Sequence, residues 1–302
     1  MKEKKKITAG SVLRFLVLIV ALCVFVYAAY NLYQIYHEYQ VSEDEYDNLA
    51  EKYVTTPTPA QTAGESADTT DAAGNPVDPE PPITVDFASL QAQNADIVGW
   101  IYVEAVPNIN YPILQGEDNE YYLHHTFEKV KNTSASIFLD YQNTADFSDS
   151  NTIVYGHNMK NGSMFGLLRN LFDQKTYDEN PYIWILTPKG NYRYEIFSVY
   201  ETSADSATYT LFGGGGQEFK SYLEKCKGNS VVSNEAAFTG EEKAITLSTC
   251  TGNDATRRVV QAKCISIVQP IASVTATPAP ENVDDIEEIQ DNTSQEMHYD
   301  EN

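Results

Sequence analysis

Residues 244 to 268, AITLSTCTGNDATRRVVQAKCISIV, read as two strands joined by a short polar loop. In the first, Ile245 and Leu247 alternate with Thr246 and Ser248, the period of two that marks a strand with one buried face. Cys250 ends that strand on the face opposite Ile245 and Leu247. The loop Thr251–Arg257 carries Gly, Asn, Asp and Thr, all turn formers. A second strand is expected to start at Arg258 and run through Val259, Val260 and Ala262 to Ile267. Paired as a hairpin, the two strands are expected to set Cys250 against Arg258 at the open end. A thiol and a guanidinium meeting there would supply a nucleophile and a stabiliser for a developing oxyanion.

A nucleophilic thiol needs a proton partner, because a free thiol is mostly protonated at neutral pH. NTIVYGHNM, residues 151 to 159, provides one: Ile153, Val154 and Tyr155 form a short strand, Gly156 breaks it, and His157 follows. A histidine where a strand gives way to a loop is placed to face a cleft. His37 falls in a polar stretch near the N-terminus and His298 in an acidic tail. His124 and His125 follow a helix-like YYL segment rather than closing a strand.

Together these residues carry a resemblance. TLSTC, an Arg before a Val-rich strand, and YGHNM upstream resemble the class B sortases, cysteine transpeptidases of Gram-positive cell surfaces. The intervals agree: 250 − 157 = 93 residues separate His from Cys, and 258 − 250 = 8 separate Cys from Arg. DIVGWIYV and NINYPILQG resemble the N-terminal region of the same family, so the likeness covers roughly Ile83 to Val268. The resemblance implies a mainly β fold, a closed sortase-type barrel of about eight strands with a few short helices. It implies Cys250 as nucleophile, His157 as general acid/base and Arg258 as the oxyanion group, Arg258 being preferred to Arg257 because it directly precedes the valines. The Thr251 backbone N–H is expected as a second oxyanion donor. Asn119, Leu123 and Ser248 match peptide-binding positions of the family, and Tyr209 corresponds to an aromatic in a long connecting loop. That loop, Thr202–Gly216, ends in four glycines and departs from the family pattern.

The implied reaction is cleavage of a C-terminal sorting motif of the Pro-x-Thr-x type after Thr, through a thioacyl-enzyme. An amine of the peptidoglycan cross-bridge then accepts the surface protein. Alternatives left open are a pilin-polymerising enzyme with a Lys acceptor, a cysteine endopeptidase with water as acceptor, and a non-catalytic surface binding module. No cofactor is expected. No Cys-x-x-Cys, His-rich cluster or calcium-ligand cluster points to a metal.

The N-terminus fits a surface enzyme. MKEKKKITAGSVLR is basic, and Val12 to Tyr33, 22 residues or about 33 Å of helix, is long enough to cross a bilayer. Tyr27, Tyr30 and Tyr33 suit an interfacial belt. A cleaved signal peptide fits less well, because the apolar run exceeds an h-region and no A-x-A-like site follows. Lys2, Lys4, Lys5 and Lys6 place the N-terminus in the cytoplasm and the catalytic domain outside. The expected layout is a basic N-terminus 1–11, a transmembrane helix 12–33, a stalk and Pro/Thr/Ala/Asp-rich linker 34–82 that sets reach from the membrane, a catalytic domain 83–270, and an acidic disordered tail 271–302.

The net charge of −23 excludes nucleic acid as a partner, since phosphate would be repelled. The remaining expected partners are surface proteins bearing sorting signals, the acceptor amine and the lipid bilayer. Of the four cysteines, Cys23 lies in the expected membrane span, while Cys226 and Cys264 read as buried free thiols rather than a disulfide.

Between linker and hairpin, Asp86 is expected to cap a helix through Phe87, Leu90 and Ala95. Strands are expected at Trp100–Val103, Tyr111–Leu114, Ser136–Asp140, Tyr182–Thr187 and Tyr192–Tyr200. Helical spacing marks Ser163–Phe172 and Glu218–Lys227.

Overall fold

A computed structural model describes residues 9–56, 79–253 and 255–269. The basic residues 1–8, the linker centre 57–78 and the acidic tail beyond 269 lie outside the described residues.

Eight strands close into a barrel. They are β3 (Ile97–Val103), β4 (Asn110–Leu114), β5 (Ile137–Leu139), β6 (Asn151–Tyr155), β7 (Tyr182–Leu186), β8 (Asn191–Ser203), β9 (Ala244–Cys250) and β10 (Thr256–Val268). Their order around the barrel is β10-β8-β7-β3-β4-β5-β6-β9. Closure leaves no free sheet edge and fills the interior with one residue in two from each strand. Ile101, Ile113, Leu139, Val154, Ile185, Leu247 and Val260 meet there, fully buried. Two pairs are parallel, β4 with β5 and β6 with β9; the others are antiparallel.

The parallel β6–β9 pair decides where the chemistry sits. Its register matches Val154 with Leu247 and Tyr155 with Ser248. His157 and Cys250 each lie two residues beyond that last matched pair. Since side chains repeat every two residues along a strand, both emerge at the same end and on the same face.

The outer face of β8, β9 and β10 is covered as well. Helix α4 (Gln217–Gly228) packs Phe219, Tyr222, Leu223 and Cys226 against Phe197, Tyr200 and Val259. Within this layer Thr246 donates to Asn151 Oδ1 at 2.8 Å, and Gln261 donates to the Tyr222 hydroxyl at 2.8 Å. A buried polar network of this kind is tolerated because its members are paired. All four cysteines are free.

The N-terminal helix, α1 (Ala9–Tyr53), is continuous for 45 residues. Its first half is long and apolar enough to cross a membrane. Its second half departs from the expected stalk, because Tyr46, Leu49 and Tyr53 are buried in the barrel's own core cluster. The Tyr46 hydroxyl donates to the Ala135 carbonyl at 2.7 Å and accepts from the Phe127 N–H at 3.3 Å. Thr133 donates to the Glu38 carboxylate at 2.8 Å, and the Glu128 N–H donates to Glu45 at 3.0 Å. Immediately after α1, β1 (Val54–Thr55) pairs antiparallel with β2 (Thr84–Val85). Both ends of the linker are therefore pinned to one two-stranded ribbon. The core cluster includes residues of α1 that precede Ile83.

Other elements follow expectation with local changes. Helix α2 (Phe87–Gln93) is capped by Asp86, whose carboxylate accepts from the Ser89 N–H at 3.1 Å. Residues Gly166–Phe172 coil as a 3-10 helix, burying Leu168 and Leu171, and α3 (Gln174–Glu179) follows.

Candidate active site

The end of the barrel where β6 and β9 stop is hollowed into a cavity of about 210 Å³. Its lining includes Asn119, Leu123, Tyr155, His157, Ser248, Cys250 and Arg257. Cys250, His157 and three of the expected peptide-binding residues thus share one concavity, whose wall is completed by Glu120, Phe138, Gly156 and Thr249.

Gly156 is required by packing. A Cβ there would overlap Ile137 Cδ1 and lie 2.7 Å from Phe165 Cδ2. His157 is then held from two directions. Its carbonyl accepts from the Phe165 N–H at 3.0 Å, and its Nε2 bonds the Leu123 carbonyl at 2.8 Å. A carbonyl only accepts, so Nε2 carries the proton and Nδ1 is left as the basic nitrogen. Burial lowers the His157 pKa below its ordinary 6.5; the Leu123 hydrogen bond opposes this and His124 adds to it. The imidazole is thus poised neutral. Leu123, expected to line the peptide pocket, also orients the histidine through its backbone.

The cross-strand pairing of the arginines differs from the expected Cys250–Arg258 match. β10 pairs with β9 so that Arg257 stands opposite Cys250 and Arg258 opposite Thr249. Directly opposed residues of an antiparallel pair point to the same face. Arg257 therefore shares the cavity face of Cys250. Arg258 lies on the other face, with Val260 and the barrel interior, where it bonds Glu201 at 2.9 Å and stacks over the Phe172 ring at 5.2 Å. The physical cause is parity: the six residues of the loop side, Thr251 to Thr256, return the chain in register at Arg257.

Arg257 Nη1 donates to the Thr256 carbonyl at 3.0 Å. The Thr251 N–H is directed to the same carbonyl at 3.4 Å, so it closes the loop, and Thr251 is absent from the cavity lining. Tyr209 arrives from a 3-10 turn, Ala207–Tyr209, and its hydroxyl bonds Ser248 Oγ at 2.9 Å. Its ring stacks near Tyr155, centroids 6.4 Å apart. Burial raises the Tyr155 pKa, the nearby Asp140 carboxylate raises it further, and Arg257 lowers it. Tyr155 was legible in YGHNM, two residues before His157 and hence on the same strand face. No cluster of three or more His, Cys, Asp or Glu able to hold a metal occurs among the described residues.

Comparison with known proteins shows the family of this barrel. The sortase domain family matches residues 101–265. Sortase B of Listeria monocytogenes is 40% identical over 201 residues, covering 66% of this chain and 80% of that protein. Among solved structures, sortase B from B. anthracis aligns with a TM-score of 0.61 and 30% identity, covering 77% of this chain and 100% of that one. A Staphylococcus aureus sortase B–substrate complex aligns with a TM-score of 0.56 and 33% identity, covering 60% of this chain and 84% of that one. With its closed eight-stranded barrel and this cavity, the chain belongs to the sortases, cysteine transpeptidases, and within them to the sortase B type.

Proposed function

We propose that this sortase is anchored in the membrane by α1, with its basic N-terminus in the cytoplasm and the barrel outside, and joins surface proteins to the cell wall through a thioacyl intermediate on Cys250. The observation that carries the reading is the convergence of Cys250, His157 and Arg257 on one cavity.

In this mechanism a sorting peptide of the Pro-x-Thr-x type enters the cavity. The Cys250 thiol passes its proton to Nδ1 of the neutral His157, and the sulfur attacks the carbonyl carbon of the motif Thr. Arg257 balances the charge that develops on the carbonyl oxygen. The tetrahedral intermediate collapses, His157 protonates the departing amine, and a thioester remains. An acceptor amine, that of a peptidoglycan cross-bridge, then loses a proton to His157 and attacks the thioester. A new amide forms and the thiol is regenerated. Sortases act on sorting-signal substrates and amine nucleophiles as a family; the motif, the thioester and the wall acceptor are the proposal for this chain.

The full chain in detergent micelles, incubated with fluorogenic Pro-x-Thr-x peptides with and without an added amine, tests it. The expected products are a peptide–amine conjugate with the amine present and slow hydrolysis after Thr without it. Cleavage elsewhere, or hydrolysis that an amine never diverts, would contradict the transpeptidase reading for these substrates.

A further inference from the structure

Asp140 sits one residue beyond β5 and is 6% exposed, yet it contributes to no step above. Its backbone is fixed on both sides: its N–H donates to the Ile153 carbonyl at 2.9 Å, and its carbonyl accepts from Gln115 Nε2 at 3.0 Å. Its side chain accepts three hydrogen bonds. Oδ1 takes the Gln142 N–H at 2.9 Å; Oδ2 takes Asn119 Nδ2 at 2.9 Å and the Tyr155 hydroxyl at 3.0 Å. An ionised carboxylate only accepts, so this pattern suits the charged form.

Two of those donors, Asn119 and Tyr155, line the peptide cavity; Asp140 itself does not. The Tyr141 N–H donates to Asn119 Oδ1 at 3.0 Å, so the amide is held at both ends. What remains for a bound peptide is the second hydrogen of Asn119 Nδ2 and the lone pairs of the Tyr155 hydroxyl. A donor beside an acceptor complements a carboxamide or a peptide group. A buried negative charge directly behind them disfavours a carboxylate in the same place.

We infer that Asp140 is a positioning residue for substrate selection: through Asn119 and Tyr155 it presents one N–H donor and one oxygen acceptor to the sorting peptide, and it biases the cavity toward neutral, amide-bearing segments over acidic ones. This rests on the proposed peptide-cleaving function of the cavity.

The test uses the full chain in detergent micelles with two pairs of fluorogenic peptides. One pair carries Gln or Glu at the x position of Pro-x-Thr-x, and the other carries Asn or Asp just before the Pro. Wild type is expected to prefer the neutral member of at least one pair. Asp140→Asn is expected to raise KM for that member by roughly three- to tenfold with kcat little changed, since it weakens charge-assisted hydrogen bonds. It should also reduce the discrimination against the acidic member severalfold. Tyr155→Phe should raise KM while retaining that discrimination. The rate of Cys250 alkylation by iodoacetamide and the unfolding temperature serve as controls and are expected to stay near wild type in Asp140→Asn. Unchanged KM and discrimination in Asp140→Asn would overturn the inference. So would a parallel fall in kcat, alkylation and unfolding temperature, which would make Asp140 a residue of the fold alone. If wild type shows no Cys250-dependent cleavage of any peptide, the reading of the cavity fails and the inference falls with it.

Discussion

Cys250 stands directly across the β9–β10 ladder from Arg257, and Arg258 faces Thr249 instead. The two adjacent arginines thus have separate surroundings, one in the cavity with the thiol and one tied to Glu201 and Phe172. Arg257→Ala is expected to lower kcat for peptide cleavage about 10²–10³-fold, the usual effect of removing an oxyanion donor. Arg258→Ala is expected to leave kcat within severalfold of wild type and to lower the unfolding temperature by a few degrees, as loss of an ion pair and a ring contact does. Steady-state kinetics and thermal unfolding of both variants check this. The opposite ranking in kcat would return the role to Arg258.

Gly156 has no room for a side chain between Ile137 and Phe165. Gly156→Ala is expected to cost about 1–3 kcal/mol of stability by overpacking. Because His157 is the next residue, cleavage should fall further than the stability loss explains. Activity measured well below the variant's unfolding temperature separates the two effects. A folded Gly156→Ala protein with wild-type kcat would show that the backbone here absorbs the extra methyl group.

The helix α1 belongs to the barrel beyond Glu38. A soluble form starting at Glu38 is expected to fold, whereas one starting at Ile83 loses Tyr46, Leu49 and Tyr53 from the core cluster. Leu49→Ala alone should cost about 2–4 kcal/mol, the range for truncating a buried leucine. Thermal or denaturant unfolding of the two truncations gives the answer. Equal stability would mean that the docked half of α1 is dispensable.

The His157 proton links stability to pH. The folded state holds its pKa below the ordinary 6.5, chiefly through burial. As pH falls through this window, the unfolded chain binds the proton before the folded one does, so folding weakens on acidification. Between about pH 7 and about pH 5 the wild type should lose stability more steeply than His157→Gln, which lacks the titrating ring. Parallel slopes would indicate that other groups account for the acid sensitivity.

Much of this was readable in the sequence because single strands announce themselves. Ile245 and Leu247 against Thr246 and Ser248 gave β9 and the face it turns to the barrel interior, although its other face, expected to be open, is buried as well, and Tyr155-Gly156-His157 gave a strand ending at a cleft. What failed was pairing parity. Val259 and Val260 are both apolar because β10 is covered on its outer face by α4 as well as on its inner face by the core, so alternation could not tell which arginine shared the face of Cys250. The register with Leu247 and Ile245 supplies that answer. The docking of α1 was hidden for a related reason. Tyr46, Leu49 and Tyr53 are few apolar residues among many charged ones, and what Tyr46 meets, Ala135 and Phe127, lies far along the chain. Asp140 looked like the polar end of a strand, since its bonds to Asn119 and Tyr155 join segments that only the closed barrel brings together.

The mechanism turns on a thioacyl bond to Cys250. Rapid mixing of the full chain with a Pro-x-Thr-x peptide, acid quenching and intact-mass measurement tests it directly, with peptide mapping to locate the modification. The predicted result is a mass gain equal to the peptide's acyl portion through Thr, mapped to Cys250, absent in Cys250→Ala and discharged by an added amine. Cleavage after Thr that persists in Cys250→Ala, or an adduct mapped to any other residue, would contradict it.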